Sequence, residues 1–230
     1  HTFLNALCQG HTGGKNESGS TTTMSLHTIS EALAKQTAAL LLSLEGSICL
    51  FQGEELGQLE TEMEFSELTD PVGIRFWPEN KGRDGCRTPM SWDSNLENAG
   101  FSEVDPWLPV KNPQLERAVE QQKNKDSVLS FYREMLKFRK NSSALSEGRT
   151  VFYDSDEPVL SFSRQSDDQK VVCVFNLSKE EVSLQIEGLK DINNHPFLDA
   201  KADGEVLSLG PNGFCFFFAD LDKDIVIRQA

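Results

Sequence analysis

GSICLFQGEELG, residues 46–57, decides how the first half of the chain is to be read. Ile48 to Phe51 form an unbroken apolar run closed by glycines at 46 and 53, too short for a helix and without alternation. That pattern predicts a strand over 47–52 buried on both faces. Immediately upstream lies ISEALAKQTAALLLSLEG, in which Leu33, Thr37, Leu40, Leu41 and Leu44 recur at helical spacing. Alanine-rich filling, Ser30 as N-cap and Gly46 as stop predict a helix over 30–45. A helix leading straight into a doubly buried strand is the signature of a parallel α/β sheet.

Working outward, residues 11–28 are rich in Gly, Ser, Thr and Asn and read as a flexible segment within 1–29. Residues 58–111 carry five prolines and all three tryptophans, Trp77, Trp92 and Trp107, with no helical or strand period. A loop of that length inside a compact protein is usually functional, and polar loops after a strand's C-terminal end are where α/β barrels place their sites. Asn112-Pro113 starts a short helix with body QLERAVEQQ. Asp126 caps SVLSFYREMLKFRKN, whose apolar face comprises Val128, Phe131, Tyr132, Met135, Leu136 and Phe138. Beyond Ser143 the period changes to alternation. Strands are predicted at 150–154, 158–164, 170–177, 181–186, 213–219 and 225–228, joined by Ser, Asp, Gly and Asn turns. This second half reads as an antiparallel β-sandwich over 145–230, following an α/β portion over 30–144.

The bulk numbers narrow the function classes. A formal charge of −14 argues against nucleic acid and against an anionic membrane surface as partners. No run of 18 apolar residues occurs, so no transmembrane helix is expected. The five cysteines are widely spaced without a C-x-x-C pair; Cys49, Cys173 and Cys215 lie in apolar runs and read as buried small hydrophobes. A reducing, cytoplasmic setting follows. The four histidines show no ligand spacing, so neither a metal nor another cofactor is expected. The opening HTFLNALCQG has neither an initiator methionine nor a signal-peptide layout and reads as starting partway through something longer.

Three groups of residues could carry chemistry. In GRDGCRTPMSWD, residues 82–93, Arg83, Asp84 and Arg87 can fix a carboxylate between guanidinium forks and leave donors over for a hydroxyl-rich ligand. Trp77 and Trp92 could offer flat faces to a sugar ring. An alternative stays open: the arginines only staple the loop and the tryptophans are core, as expected of Trp107. Glu54 and Glu55, adjacent at a strand end, point in different directions and read more readily as a turn feature than as a catalytic dyad. Asn176 reads as a strand-end hydrogen-bonder, and the basic group Lys137, Arg139 and Lys140 as a complement to a helix dipole.

From GSICLFQGEELG onward the chain resembles the α-amylase superfamily, glycoside hydrolase family 13, in its α-glucosidase and oligo-1,6-glucosidase members. The stretches that carry the resemblance continue through DPVGIRFWPENKGRDGCRTPMSWD, NAGFSEVDPWLPV, SVLSFYREMLKFRK and VVCVFNLS, covering about residues 30–220. It implies the eighth strand and last helices of a (β/α)₈ barrel, followed by a small β-sandwich known as domain C. Such enzymes cleave or transfer α-linked glucosyl units with retention, using an Asp nucleophile and a Glu acid/base roughly 5 Å apart. The family's G-F-R-x-D and N-H-D motifs are absent here. By position, the resemblance makes Arg83, Asp84 and Arg87 the loop bordering the substrate subsites, and puts Glu54 and Glu55 beside the active-site mouth. It assigns no catalytic residue. The implied partner is an α-linked glucose oligosaccharide, and the chain alone is expected not to hydrolyse one, or else to serve as a non-catalytic sugar-binding module. Helix 30–45 and strand 47–52 are expected to expose apolar faces that barrel neighbours would cover.

Overall fold

The computed structural model describes residues 30–123, 126–190 and 192–230; the flexible segment expected over 1–29 lies outside them. In chain order the elements are α1 (Glu31–Ser43), α2 (Pro71–Arg75), α3 (Asn112–Leu115), α4 (Val119–Gln122), α5 (Val128–Asn141) and α6 (Ser143–Glu147). The strands β1 (Arg149–Phe152), β2 (Val159–Gln165), β3 (Lys170–Asn176), β4 (Val182–Ile186), β5 (Phe197–Asp203), β6 (Val206–Ala219) and β7 (Ile227–Gln229) follow. Contacts gather the described residues into two units, one of 32–49 with 131–230, the other of 50–130 with residues 30 and 31.

The first unit is an antiparallel β domain with α1, α6 and most of α5 built onto it. Its strands run β1-β2-β3-β6-β4-β7, with β5 paired to β6. All seven residues of β3 are buried, which requires cover on both of its faces. Val172 and Val174 face a core of aliphatic side chains shared with Leu184, Ile186, Leu207 and Leu209. Their neighbours Cys173 and Phe175 point the other way, as strand geometry demands. On that side Phe175 joins Phe162, Phe214 and Phe216, and α5 closes the layer with Phe131 against Phe214 at 5.5 Å and Phe138 against Phe216 at 5.6 Å between ring centres.

β6 is long enough to serve both halves of the sheet. Its residues 206–209 pair with β4 and with β5, and 214–219 pair with β3. Between them the chain makes an excursion over Gly210 to Gly213, opposite an irregularity in β5 at Asp199, whose φ is +44°. Glycine is required at 213, where a Cβ would stand 2.8 Å from the Asp199 carbonyl oxygen; at Gly210 a Cβ would stand 1.7 Å from Asp199 Oδ2 and would displace that side chain. Asn176, fully buried at the end of β3, pins the same bend. Its Nδ2 donates to the carbonyls of Glu180 (2.7 Å), Leu209 (3.2 Å) and Gly210 (2.9 Å), and its Oδ1 accepts from Ser178 N (3.0 Å) and Oγ (2.8 Å). Asn176→Leu keeps the bulk and orphans these groups. A loss of about 2 kcal/mol is expected in urea unfolding, and an unchanged midpoint would refute the pinning role.

The C-terminus of α1 has no basic residue in its own last turn. Two distant arginines supply the missing donors. Arg139 Nη1 donates to the carbonyls of Leu42 and Leu44 and Nη2 to that of Gly46, each at 2.9 Å. Arg164, fully buried, donates from Nη1 to Ser43 O at 2.7 Å and from Nη2 to Gly148 O at 2.6 Å. Burial draws both guanidinium pKa values down, and for Arg164 the neighbouring Arg139 adds to the effect. Arg139 thus serves the dipole of α1, although the sequence reading assigns it to its own helix.

Several expectations need correction. Residues 47–51 form no strand, and Cys49, Leu50 and Phe51 are exposed. A parallel strand is held by ladders on both sides, and nothing among the described residues pairs with this run. Helix α1 does not lie open. It buries Ala34 to Ala39, Leu42 and Ser43, and Gln36 Nε2 donates to Asn176 O at 2.6 Å. Its buried residues run through Lys35, Gln36 and Thr37 as well as the alanines, while Leu33, Leu40, Leu41 and Leu44 are only partly buried. Leu136 is exposed on α5, and QLERAVEQQ breaks into α3 and α4. β5 and the first half of β6 are additions to the predicted strands.

Candidate functional site

The unit of residues 50–130 is mostly loop, and two small apolar clusters anchor it. Leu56, Met90 and Leu129 form one; Met63, Leu68 and Leu108 form the other, with Trp77 packed on it. Side-chain hydrogen bonds to backbone do much of the remaining work. Gln122 Nε2 donates to the carbonyls of Leu56 (3.0 Å) and Arg117 (2.9 Å), and Arg117 Nη1 bonds to Gly57 O. Gln114 Nε2 reaches Thr88 Oγ1 at 2.6 Å, and Ser91 O and Trp92 O accept from Val119 N (3.1 Å) and Glu120 N (2.8 Å).

Thr69-Asp70-Pro71 begins α2, with Asp70 as N-cap accepting from Val72 N at 2.9 Å and Pro71 in the first turn. The short helix meets GRDGCR through two glycines. A Cβ on Gly73 would lie 2.5 Å from Lys81 O, and Gly82, at φ +72°, stands against Gly73 N. That close approach sets Asp84, wholly buried, below the start of α2. Its Oδ2 accepts from Thr69 N at 2.6 Å and Asp70 N at 2.7 Å, and its Oδ1 from Thr69 Oγ1 at 3.1 Å.

The carboxylate gripped by the two arginines is Asp70. Its Oδ2 accepts from Arg83 N at 3.0 Å and Arg83 Nε at 3.4 Å, and Arg87 Nη1 stands 4.0 Å away. Asp70 is 2% exposed, whereas the side chains of Arg83 and Arg87 are 61% and 39% exposed. The helix-cap bond from Val72 N, followed by the bonds from Arg83, holds the Asp70 carboxyl below its usual pKa. A buried anion therefore fixes the Arg83 side chain and pairs at longer range with Arg87, and both guanidinium groups are still partly exposed to solvent.

Arg83, Asp84 and Arg87 are thus brought together around Asp70. Glu54 sits in a separate 3₁₀ turn, Glu54–Leu56, entered through Gly53 at φ +94°. Glu54 Oε2 accepts from Phe51 N at 3.4 Å and Glu55 Oε2 from Gly53 N at 2.9 Å, so both glutamates stabilise the turn. Of the aromatic faces, Trp77 packs on its cluster with Phe65 at 5.9 Å, while Trp92 is 50% exposed. Trp107, expected to pack, is 60% exposed. Its neighbour Leu108 takes the inward position and turns the indole out. The sequence reading gives no role to Thr69 or to Asp70, which opens the stretch DPVGIRFWPEN, although Asp before Pro at a helix start is a cap signal.

Beside this loop, Glu60, Thr61, Glu62, Lys111, Gln114 and Arg117 line part of an open cavity of about 550 Å³. Burial raises the pKa of Glu60 there, with Glu62 adding to the rise. Among the described residues no group of three or more His, Cys, Asp or Glu side chains is placed to hold a metal ion. No helix among them is long and apolar enough to cross a membrane.

Residues 15–148 match the family model for the alpha amylase catalytic domain, and residues 149–215 match the maltogenic amylase C-terminal domain. The chain belongs to the alpha-amylase family. Within this family it is 44% identical over 179 residues to a probable alpha-glucosidase of Rhizobium meliloti (strain 1021), a match covering 76% of this chain and 32% of that protein. An oligo-1,6-glucosidase of Heyndrickxia coagulans is 32% identical over 171 residues, 65% of this chain and 30% of the relative. Among solved structures, the alpha-glucosyl transfer enzyme XgtA superposes with a TM-score of 0.73 at 42% identity, covering 83% of this chain and 36% of its own. The chain thus spans about a third of the length of these alpha-amylase family relatives.

Proposed function

We propose that the chain is the C-terminal part of an α-glucosidase-type hydrolase, supplying one wall of a site for α-linked glucosyl units and no catalytic acid pair. The observation that carries this reading is the Asp70-anchored pair of half-open guanidinium groups in the stretch that resembles the substrate rim. Fixed, outward N–H donors suit sugar hydroxyls, which accept well and are costly to leave unpaired. The carboxylates that could be asked to do chemistry there are already committed. Asp84 is taken by backbone and Thr69, Asp70 by the arginines and the α2 cap, and Glu54 and Glu55 by turn amides.

Retention needs two carboxyl groups facing one glycosidic bond, one of them protonated in turn. A rim without that pair binds and does not cleave. Incubated with maltose or isomaltose, the chain is expected to release no glucose above a buffer control. Turnover in the ordinary enzyme range of about 1–10³ s⁻¹ would overturn the reading.

A second reading, a stand-alone sugar-binding module, rests on the same exposed donors and on Trp92. Titrating with maltose while following tryptophan fluorescence separates it, because a rim that needs the rest of a barrel gives no saturable change at high millimolar sugar. The described cysteines, Cys49, Cys86, Cys173 and Cys215, are free thiols, which supports a reducing, cytoplasmic setting.

A further inference from the structure

Asp70 lies outside the motif that marks the rim, yet both arginines of that motif converge on it. We infer that Asp70 is the positioning residue of the sugar rim: it fixes the directions of the Arg83 and Arg87 donors without touching the ligand. The inference rests on the reading of Arg83 and Arg87 as sugar contacts.

The argument is geometric. An arginine on a loop samples many rotamers, and ordering it on ligand binding costs affinity. Here the cost is met in advance. Asp70 Oδ2 receives both the backbone N–H and the Nε–H of Arg83, and stands 4.0 Å from Arg87 Nη1. One Arg83 side-chain donor is used and the terminal nitrogens are left for a ligand. Asp70 cannot itself reach a ligand, being 2% exposed in its side chain. Its own place is fixed twice, by Val72 N on Oδ1 and by Asp84, which accepts from the Asp70 backbone N–H at 2.7 Å. Gly82 leaves the space the carboxylate needs against the 82–83 segment, since a Cβ there would stand 3.0 Å from Asp70 Cγ. Asp84 braces Asp70, Asp70 orients the arginines, and only the arginines meet the sugar.

Asp70→Asn is the discriminating variant, because asparagine keeps the oxygen that caps α2 and puts an NH₂ donor in place of the charged acceptor that holds Arg83. Maltose affinity is measured by tryptophan fluorescence and calorimetry for the unaltered chain, Asp70→Asn, Asp70→Glu, Arg83→Met and Arg87→Met. Asp70→Asn is expected to weaken binding about tenfold with its melting temperature kept, and Asp70→Glu to recover most of the loss. Normal binding by Asp70→Asn beside weak binding by the arginine variants overturns the inference and leaves the rim reading standing. Normal binding by both arginine variants overturns the rim reading and the inference with it. Should Asp70→Asn fail to fold, or the unaltered chain give no saturable binding, the ¹⁵N spectrum of the unaltered chain decides. A slowly exchanging Arg83 Nε–H supports the inference, and one exchanging as freely as an exposed arginine overturns it.

Discussion

Arg164→Met is expected to lower the stability of the β domain by about 3 kcal/mol. The arginine stands on β2, wholly buried, with one terminal nitrogen on Ser43 O and the other on Gly148 O. Each is a charge-assisted bond, and such bonds contribute about 1.5–3 kcal/mol apiece. Against that gain stands the cost of burying a guanidinium, visible in its lowered pKa and in an Nε that finds no acceptor. Replacing a buried ion pair by apolar residues can be neutral because both partners leave together. Here the partners are backbone carbonyls, which no side-chain change removes, so methionine leaves two acceptors dry. Arg164→Lys should restore less than half of the loss, since one ammonium cannot span both carbonyls. Urea unfolding followed by circular dichroism reads the effect, and a variant that unfolds at the midpoint of the unaltered chain would show the fork to be dispensable.

The second large effect is expected in the other unit. Asp84→Ala removes an acceptor serving three donors, two of them backbone N–H groups at Thr69 and Asp70. A loss of about 3 kcal/mol is expected, confined to the rim loop and α2. Hydrogen exchange gives the sharper reading. The amides of Thr69 and Asp70 should be protected in the unaltered chain and exchange rapidly in the variant, while amides of β3 remain unchanged. Equal protection of Thr69 and Asp70 in both proteins would mean that another acceptor holds the start of α2.

What the sequence discloses depends on whether the relevant force is local. β2, β3 and β4 are legible because their side chains alternate or run apolar where the sheet is covered. α5 is legible because one face is aromatic. β5 is not: Phe-Leu-Asp-Ala-Lys-Ala-Asp has little apolar pattern, and its place comes from pairing with β6 and from a bulge seated against Gly210 and Gly213. Run 48–51 misleads in the opposite sense, since its apolar character describes a strand whose partners are not among the described residues. The rim shows the same division. Arg83 and Arg87 announce themselves by charge in a loop without helical or strand period, but which carboxylate they hold is a matter of tertiary approach, set by Gly73 against Gly82. The nearer acid in sequence, Asp84, serves the backbone instead.

The length of β6 governs where the β domain can come apart. Because its residues 206–209 are paired with both β4 and β5, and 214 and 215 with both β3 and β5, separating it there forfeits ladders on two sides at once. β1, β5 and β7 each have a single neighbour, and β1 leaves Val151 and Phe152 half in water. Fraying therefore starts at these margins and stops at the spine, which is the last element to surrender its amides to solvent.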